Sequence, residues 1–519
     1  MSGASAVTEV AAEKSGLSNA WLDVAIAALA ILPLLLTRHL PLVDLPGHLA
    51  RQYILRDLSG SSVLQNFYDV QWALVPNLAL ELFVSAASHL VSIDMAVRLF
   101  CIVTMLLLFF GTRSVNRALA GDEARIYRFA PFLCYGGPFQ WGFLSFCFGI
   151  GLALVLFGLY LRLRGGSFAH LLVIMMPAAF ALLLCHLAAF GIFAIAMGSF
   201  ELERAFHNAG WSRNFLVTAA LAQARILAFL APPFLLFALS GPVSNTENVM
   251  RFSTLHEKLE SILALTMFSS PITELPMLFC AAIGLFAAFL CKAVRLHHSG
   301  LVMAAGLGLV WLVLPRVALS GGYIDYRVPW AASFFLLATI MPASRYRRFA
   351  SPLAFVFGAL VLARIVLIAG FWLSWEPVLA SIDDALAKLP LGAKVLVVEG
   401  DTGSTSLNRQ PALDHVAGYA VARRQAFENG IFAGFSGQIL YLREPYKHMR
   451  RLVNPEKLDQ LIPGYNFVLV LRPARAHIDP ALPLRCEDSG KDFSLFAVAA
   501  ASDAPADPQR QRGCSVSRS

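Results

Sequence analysis

Two short clusters hold the residue types that chemistry at a membrane surface would need. The first is Val43-Asp44-Leu45-Pro46-Gly47-His48-Leu49-Ala50-Arg51, in which Asp44 stands seven residues beyond Thr37, the end of an apolar run that begins near Trp21. An ionisable group where a helix leaves a bilayer is costly and reads first as functional. A carboxylate there can take the proton of an acceptor hydroxyl, or hold a divalent cation such as Mg or Mn together with His48. Pro46-Gly47 makes the turn that lets both side chains face one site, and Arg51 follows on the helix that His48 starts. The plainer reading is that Asp44 only caps the helix from Pro46 onward, since Asp before Pro is an ordinary helix start.

The second cluster is Asp325-Tyr326-Arg327-Val328-Pro329-Trp330, preceded by Ser320-Gly321-Gly322-Tyr323. An arginine opening an apolar helix beside an outward cavity is placed to grip a phosphate with two prongs. Against this stands a snorkelling Arg327 paired with Asp325 at the interface. Cys185-His186 falls at a turn between two apolar runs, where His186 would bind a metal or a lipid phosphate, or serve as a hydrogen-bonded structural histidine. The aromatic turn Gly136-Gly137-Pro138-Phe139-Gln140-Trp141-Gly142-Phe143 suits an isoprenoid chain or a sugar face, although interfacial Trp and Phe are common anyway. His415, a further candidate site residue, and Arg423-Arg424 share one predicted helix, which faces the membrane-domain cavity or, on the plainer reading, is a solvated face. There is no HExxH, no paired CxxC and no Ser/His/Asp order.

The elements that must position these residues are membrane helices. Of 519 residues, 57% are hydrophobic and only 14% charged, against about 25% charged in a soluble domain. Mean hydropathy is +0.64. Apolar runs recur along the chain, which makes it a polytopic α-helical membrane protein. The formal charge of +8 lies in short Lys and Arg clusters between the runs, so it indicates no nucleic-acid partner. Six cysteines fall in or beside apolar runs and read as small buried hydrophobes. Cys486 and Cys514 lie in the polar tail.

The hydropathy pattern predicts eleven spans, near 20–37, 95–112, 127–140, 143–161, 169–185, 187–200, 217–240, 276–291, 300–315, 328–342 and 351–374. Thirteen positive charges sit in one alternating set of short loops: Arg113, Arg117, Arg125, Arg128, Arg162, Arg164, Arg204, Arg213, Lys292, Arg295, Arg345, Arg347 and Arg348. The positive-inside rule then places residues 1–18 in the cytoplasm, the first loop (38–94) outside, and everything after Trp375 outside. Residues 257–270 are too short an apolar run to span and read as an interfacial helix, as do residues 77–91 with Glu81 and His89. The membrane domain is thus 19–375. Residues 376–500 alternate strand-like runs (394–398, 465–471, 493–499) with helical ones (414–427, 454–461) and form a small extracytoplasmic α/β domain. It has neither GxGxxG nor GxxxxGK[ST], which argues against nucleotide binding. Residues 501–519 have the composition of a disordered tail.

Taken together, the layout resembles the glycosyltransferase-C superfamily, polytopic enzymes that take a sugar from a polyprenyl-phosphate carrier outside the cytoplasmic membrane. The first-loop acid of that pattern matches Asp44. The late Arg-aromatic-Pro element is similar to Asp325-Tyr326-Arg327-Val328-Pro329, and the tail segment Asp414-His415-Val416-Ala417-Gly418-Tyr419-Ala420-Val421-Ala422-Arg423-Arg424 looks like that of bacterial proteins of this type. A common first-loop pattern has two adjacent acids. Here Leu45 follows Asp44, so a second acid must come from Asp69, Glu81, Glu274 or Asp325. The resemblance implies a bacterial inner-membrane enzyme with a polyprenyl-phosphate-linked sugar as donor and an extracytoplasmic acceptor. Asp44 and His48 would be catalytic, or the ligands of a divalent cation. Arg327, Tyr323 and His186 would hold the donor phosphate. Two other classes fit the composition. A transporter or flippase would show charges deep in the bilayer and two related halves, and no such duplication is present. A non-catalytic cell-envelope assembly protein would use Asp44 only as a cap.

Overall fold

The computed structural model describes residues 3–240, 250–266, 270–318, 321–400, 411–434, 438–449, 458–473, 476, 478–479 and 481–499, with side chains from Asn19 onward. The expected tail at 501–519 and Cys514 lie outside the described residues. Among them, seven helices are long and apolar enough to cross a membrane: Asn19–Leu36, Ile93–Glu123, Leu144–Leu163, Phe168–Cys185, Arg213–Leu239, Ile272–Leu290 and Tyr346–Ala387. The free cysteines Cys101, Cys134 and Cys147 are buried among them.

The other four expected spans differ from that description for clear reasons. Residues 127–140 are not one helix. They break into Ile126–Phe129, Pro131–Cys134 and Gly137–Gln140, because Pro131, the Gly136-Gly137 pair and Pro138 interrupt any continuous ladder. Leu187–Ala209 runs 23 residues but carries Glu201, Glu203 and Arg204 in its second half. His298–Val313 has 16 residues and Arg327–Thr339 has 13, so the latter reaches about 20 Å against roughly 30 Å of hydrocarbon. By length and composition seven of the eleven expected spans are single long apolar helices, and the other four are broken, shorter or partly polar helices.

The expected interfacial stretches are short helices. Leu255–Leu263 opens with a capping box between Thr254 and Glu257. Ala79–Ala87 buries Leu80, Glu81 and Val84 inward instead of resting on the surface along its whole length.

In the tail, Lys394–Glu399, Phe467–Leu471 and Phe493–Val498 are strands as predicted. They join Phe427–Glu428 and Leu484–Ser489 in a five-stranded sheet. Lys394–Glu399 pairs in parallel with Phe427–Glu428 and Phe467–Leu471, and the Phe493–Val498 hairpin adds antiparallel partners. The predicted helix at 414–427 is shorter, Gly418–Arg424.

The first loop does not stand apart from the tail. Tyr68–Val70 pairs with Leu440–Leu442. Ala50, Ile54, Leu64, Phe67 and Tyr68 share one apolar core with Leu396, Val398, Phe427, Val468 and Val470. First loop and tail therefore occupy the same face of the helical bundle. The 42-residue helix Tyr346–Ala387 crosses the bundle and continues into that face, where Leu379, Ile382 and Leu386 are buried.

Candidate active site

The site is built around the turn Gly136–Phe143. The backbone N–H of Val43 donates to Gln140 O and that of Asp44 to Trp141 O, both at 3.1 Å. Gly142 has φ 86°, and a Cβ there would stand 3.0 Å from the Asp44 Cβ and backbone nitrogen. Only glycine lets the turn lie this close. Asp44 sits at the N-cap position of helix Leu45–Asp57, yet its side chain makes no capping hydrogen bond. The capping reading therefore fails, and the carboxylate points elsewhere.

Asp44 is 18% exposed, and burial pushes its carboxyl up to about 7. The Arg327 and Arg51 charges oppose that rise, while Asp414 reinforces it. Asp44 and Arg327 thus act on one another electrostatically, one on either side of the Trp141-Gly142-Phe143 turn. On the tail side, His415 Nε2 lies 3.7 Å from Asp44 Oδ1. The expected solvated face is not what forms there.

Arg327 opens helix Arg327–Thr339 with its guanidinium 4.1 Å above the Phe143 ring and 5.6 Å from Phe146. Its Nη2 donates to Gly322 O at 3.2 Å, while Nε is buried without a partner. The pairing with Asp325 does not form. Its Nη1 lies 3.1 Å from His186 Nε2. His186 Nδ1 accepts from the Ala188 backbone N–H at 3.1 Å, so in the neutral ring Nε2 carries the proton. Burial, aided by Arg327, holds His186 well below its usual range and therefore neutral. Nη1 and Nε2 face each other, and Arg327 Nε is buried beside them without a partner; an anion alongside the guanidinium would accept from it.

Tyr323, at φ 57°, does not join that donor group. Its ring packs 5.1 Å from Trp141 and under Arg316 at 4.6 Å. It extends the aromatic wall of Trp141 and Phe143.

Several expected site residues have other partners. His48 Nε2 donates to Gly142 O at 3.0 Å and Nδ1 faces Arg51 Nη2 at 3.4 Å. Burial drives its ring down to about 3, helped by Arg51 and resisted by the Gly142 bond. Both nitrogens are engaged, so His48 does not fit as a ligand beside Asp44. Among the described residues no group of three His, Cys, Asp or Glu side chains is arranged to hold a metal. The charged groups that act on Asp44 are Arg327, Asp414 and Arg51, with His415 at 3.7 Å.

None of the four candidates for a second acid stands beside Asp44. Glu81 pairs with Arg51 in a buried ion pair. Glu274 pairs with Arg364 at 2.7 Å, both fully buried. Asp325 is held by Lys258 at 2.9 Å and by the Ser253 hydroxyl at 2.6 Å. Asp69 lies on an exposed strand near Arg443. The acid that does act on Asp44 is Asp414, itself bound to Arg472 at 3.1 Å. Its one trace in the sequence is its place next to His415.

The chain resembles two solved structures across nearly its whole length. Both are of ArnT from Cupriavidus metallidurans. The one bound to undecaprenyl phosphate matches with a TM-score of 0.51 at 14% identity, covering 93% of this chain and 98% of that one. The apo structure matches with a TM-score of 0.54 at 14% identity, covering 94% and 99%. No protein family and no curated protein matches the chain by sequence. At this identity the likeness establishes the fold. It is an ArnT-like helical membrane fold with a strand-containing C-terminal region.

Proposed function

We propose that this chain is an integral-membrane glycosyltransferase that moves a sugar from a polyprenyl-phosphate donor to a hydroxyl acceptor on the face carrying the tail. The observation that carries the reading is the facing donor group of Arg327 and His186, set across one turn from a carboxylate that burial holds near neutrality. A lipid phosphate would fill the first and an acceptor hydroxyl would approach the second. The neighbouring fold of ArnT with undecaprenyl phosphate bound supports a lipid-phosphate carrier of that kind.

In the step we infer, the acceptor oxygen bonds to the anomeric carbon as the bond from that carbon to the phosphate oxygen breaks. The acceptor proton passes to Asp44. The electron pair of the broken bond stays on the leaving polyprenyl phosphate, whose growing charge Arg327 offsets. Asp44 suits this role because a base with a pKa near 7 is half ionised at the working pH yet still basic enough to accept a proton. Trp141, Phe143 and Tyr323 offer apolar faces to the sugar or the prenyl chain. The positive-inside pattern places this face outside the cytoplasm. Cys486 in the tail is disulfide-bonded, which suits an oxidising compartment.

The test is transfer of labelled sugar from synthetic polyprenyl-phosphate donors by the protein in proteoliposomes, compared with uptake of the same label into the lumen. Transfer that falls by at least about 100-fold in Asp44→Asn, with the variant still folded, is the expected result. Lumenal uptake without transfer, or a fully active Asp44→Asn, would refute the reading.

A further inference from the structure

We propose that His415, supplied by the tail, is the positioning residue of Asp44, so that the proton-accepting unit is a carboxylate–imidazole dyad assembled from two distant parts of the chain. This rests on the reading of Asp44 as the base and adds a partner to it.

The two groups lie at ion-pair distance, His415 Nε2 3.7 Å from Asp44 Oδ1. The imidazole is held by its surroundings. Its ring packs 4.5 Å from that of Phe432. Its backbone sits at φ 60°, in the left-handed region where histidine, like asparagine, is enriched several-fold. The preceding Asp414 is bound by Arg472 at 3.1 Å. Arg472 is in turn buried at the end of strand Phe467–Leu471.

Two glycines make the approach possible. A Cβ on Gly418 would collide with Pro46 O, and one on Gly47 would stand 2.8 Å from the Phe432 ring. Both contacts lie on the segment that presents Asp44, so the tail is seated against the residue it serves. Ionisable groups from several elements act on the pair among the described residues. They are His48 and Arg51 from helix Leu45–Asp57, Arg327 from helix Arg327–Thr339, and Asp414 from the tail. The turn Gly136–Phe143 adds none. His48 cannot take the role, because both its ring nitrogens are engaged. When protonated, an imidazole at this distance favours the ionised carboxylate, and its bulk restricts the carboxylate's rotation.

The test uses the full chain in lipid nanodiscs. Carboxyls are coupled to glycine ethyl ester with a water-soluble carbodiimide from pH 5 to 9, and modification of Asp44 is followed by peptide mass spectrometry. The variant is His415→Asn, since asparagine tolerates the left-handed backbone. Loss of the imidazolium form about 4 Å away raises the pH midpoint of Asp44 modification by about one unit, the expected result if His415 is the partner of Asp44. Transfer from a polyprenyl-phosphate sugar is then measured on the same samples. The turnover number falls about tenfold or more with KM nearly unchanged, the acidic limb of the rate profile moves up with the labelling midpoint, and added imidazole restores His415→Gly. An unmoved midpoint together with unaltered turnover in His415→Asn overturns the dyad while leaving Asp44 as base. A moved midpoint in a wild type that transfers nothing overturns the transferase reading and upholds the coupling of the two groups.

Discussion

At the scale of single residues, Asp44 is held in a state that works against stability. Burial lifts its carboxyl from 3.8 to about 7. A raised carboxyl contributes most below its unfolded value and loses that contribution as pH rises through the folded one. The cost of keeping Asp44 ionised in the fold therefore begins above pH 3.8 and is complete above about 7. By linkage it amounts to roughly 4 kcal/mol at pH 8 and less than half of that at pH 5. Asp44→Asn is expected to raise the thermal midpoint at pH 8, and to raise it less at pH 5, while abolishing transfer. Differential scanning fluorimetry of the two proteins at both values checks this; an equal shift at the two pH values would mean that the carboxylate is not strained. Arg327 makes a separate prediction. Arg327→Lys keeps the charge and loses the fork, so KM for a polyprenyl-phosphate donor should rise about 10- to 100-fold, with a smaller change in turnover.

At the scale of elements, much of the site was legible because its markers are local. Asp44 beyond an apolar run and Arg327 before one are visible without knowing what lies opposite. The strands Lys394–Glu399 and Phe467–Leu471 showed as unbroken apolar runs, as buried parallel strands do. What the sequence could not disclose were partners contributed from far away. Glu81, Glu274 and Asp325 read as spare acids because Arg51, Arg364 and Lys258 that neutralise them are named only by the packing. His415 read as solvated because its neighbour lies 371 positions earlier in the chain. Expected spans came out as shorter helices where apolar composition outruns helix length, as in Arg327–Thr339. Glycines in the two docking segments give this scale its prediction. Gly418→Ala forces a Cβ into Pro46 O, which is backbone and cannot turn aside. It should lift the tail from the first-loop helix and reduce transfer far more than it lowers the thermal midpoint. Gly47→Ala meets only the Phe432 side chain, which can move, and should retain more activity. Turnover of the two variants on one donor decides the order.

At the scale of the whole molecule, a charged junction helps fasten the tail to the membrane bundle. Arg423 reaches Asp94 at 2.9 Å and Asp383 at 3.1 Å, and also the Tyr53 hydroxyl at 3.3 Å. Asp383 and Glu376, one face of the long last helix, both bond His39 just beyond the first span. First span, second span, last helix and tail therefore meet in one network. Both ring nitrogens of His39 face carboxylates, at 2.9 and 3.1 Å, so the doubly protonated ring fits best. Burial lowers its pKa, but the bonds to Asp383 and Glu376 outweigh burial and leave it raised. The contribution of a raised histidine is fully present below its unfolded value near 6.5 and is lost as pH climbs through the folded one. The junction should consequently loosen on the alkaline side, the same direction in which Asp44 becomes costly. Arg423→Met leaves Asp94 and Asp383 without their shared cation. Since Asp94 is 40% exposed and solvent screens it, the expected loss is about 1–2 kcal/mol, an increase of roughly 5- to 30-fold in the open population. Hydrogen exchange of Leu389–Ala393 and of the Gly418–Arg424 helix, in nanodiscs at pH 6 and pH 8.5, would report that opening. The wild type should exchange faster at pH 8.5 after correction for the intrinsic rate, Arg423→Met faster at both, and His39→Gln should lose the pH difference. Protection that is identical in all three proteins would mean that the shared core of Tyr68 and Phe427 alone holds the tail in place, and that the network has no part in keeping His415 at the site.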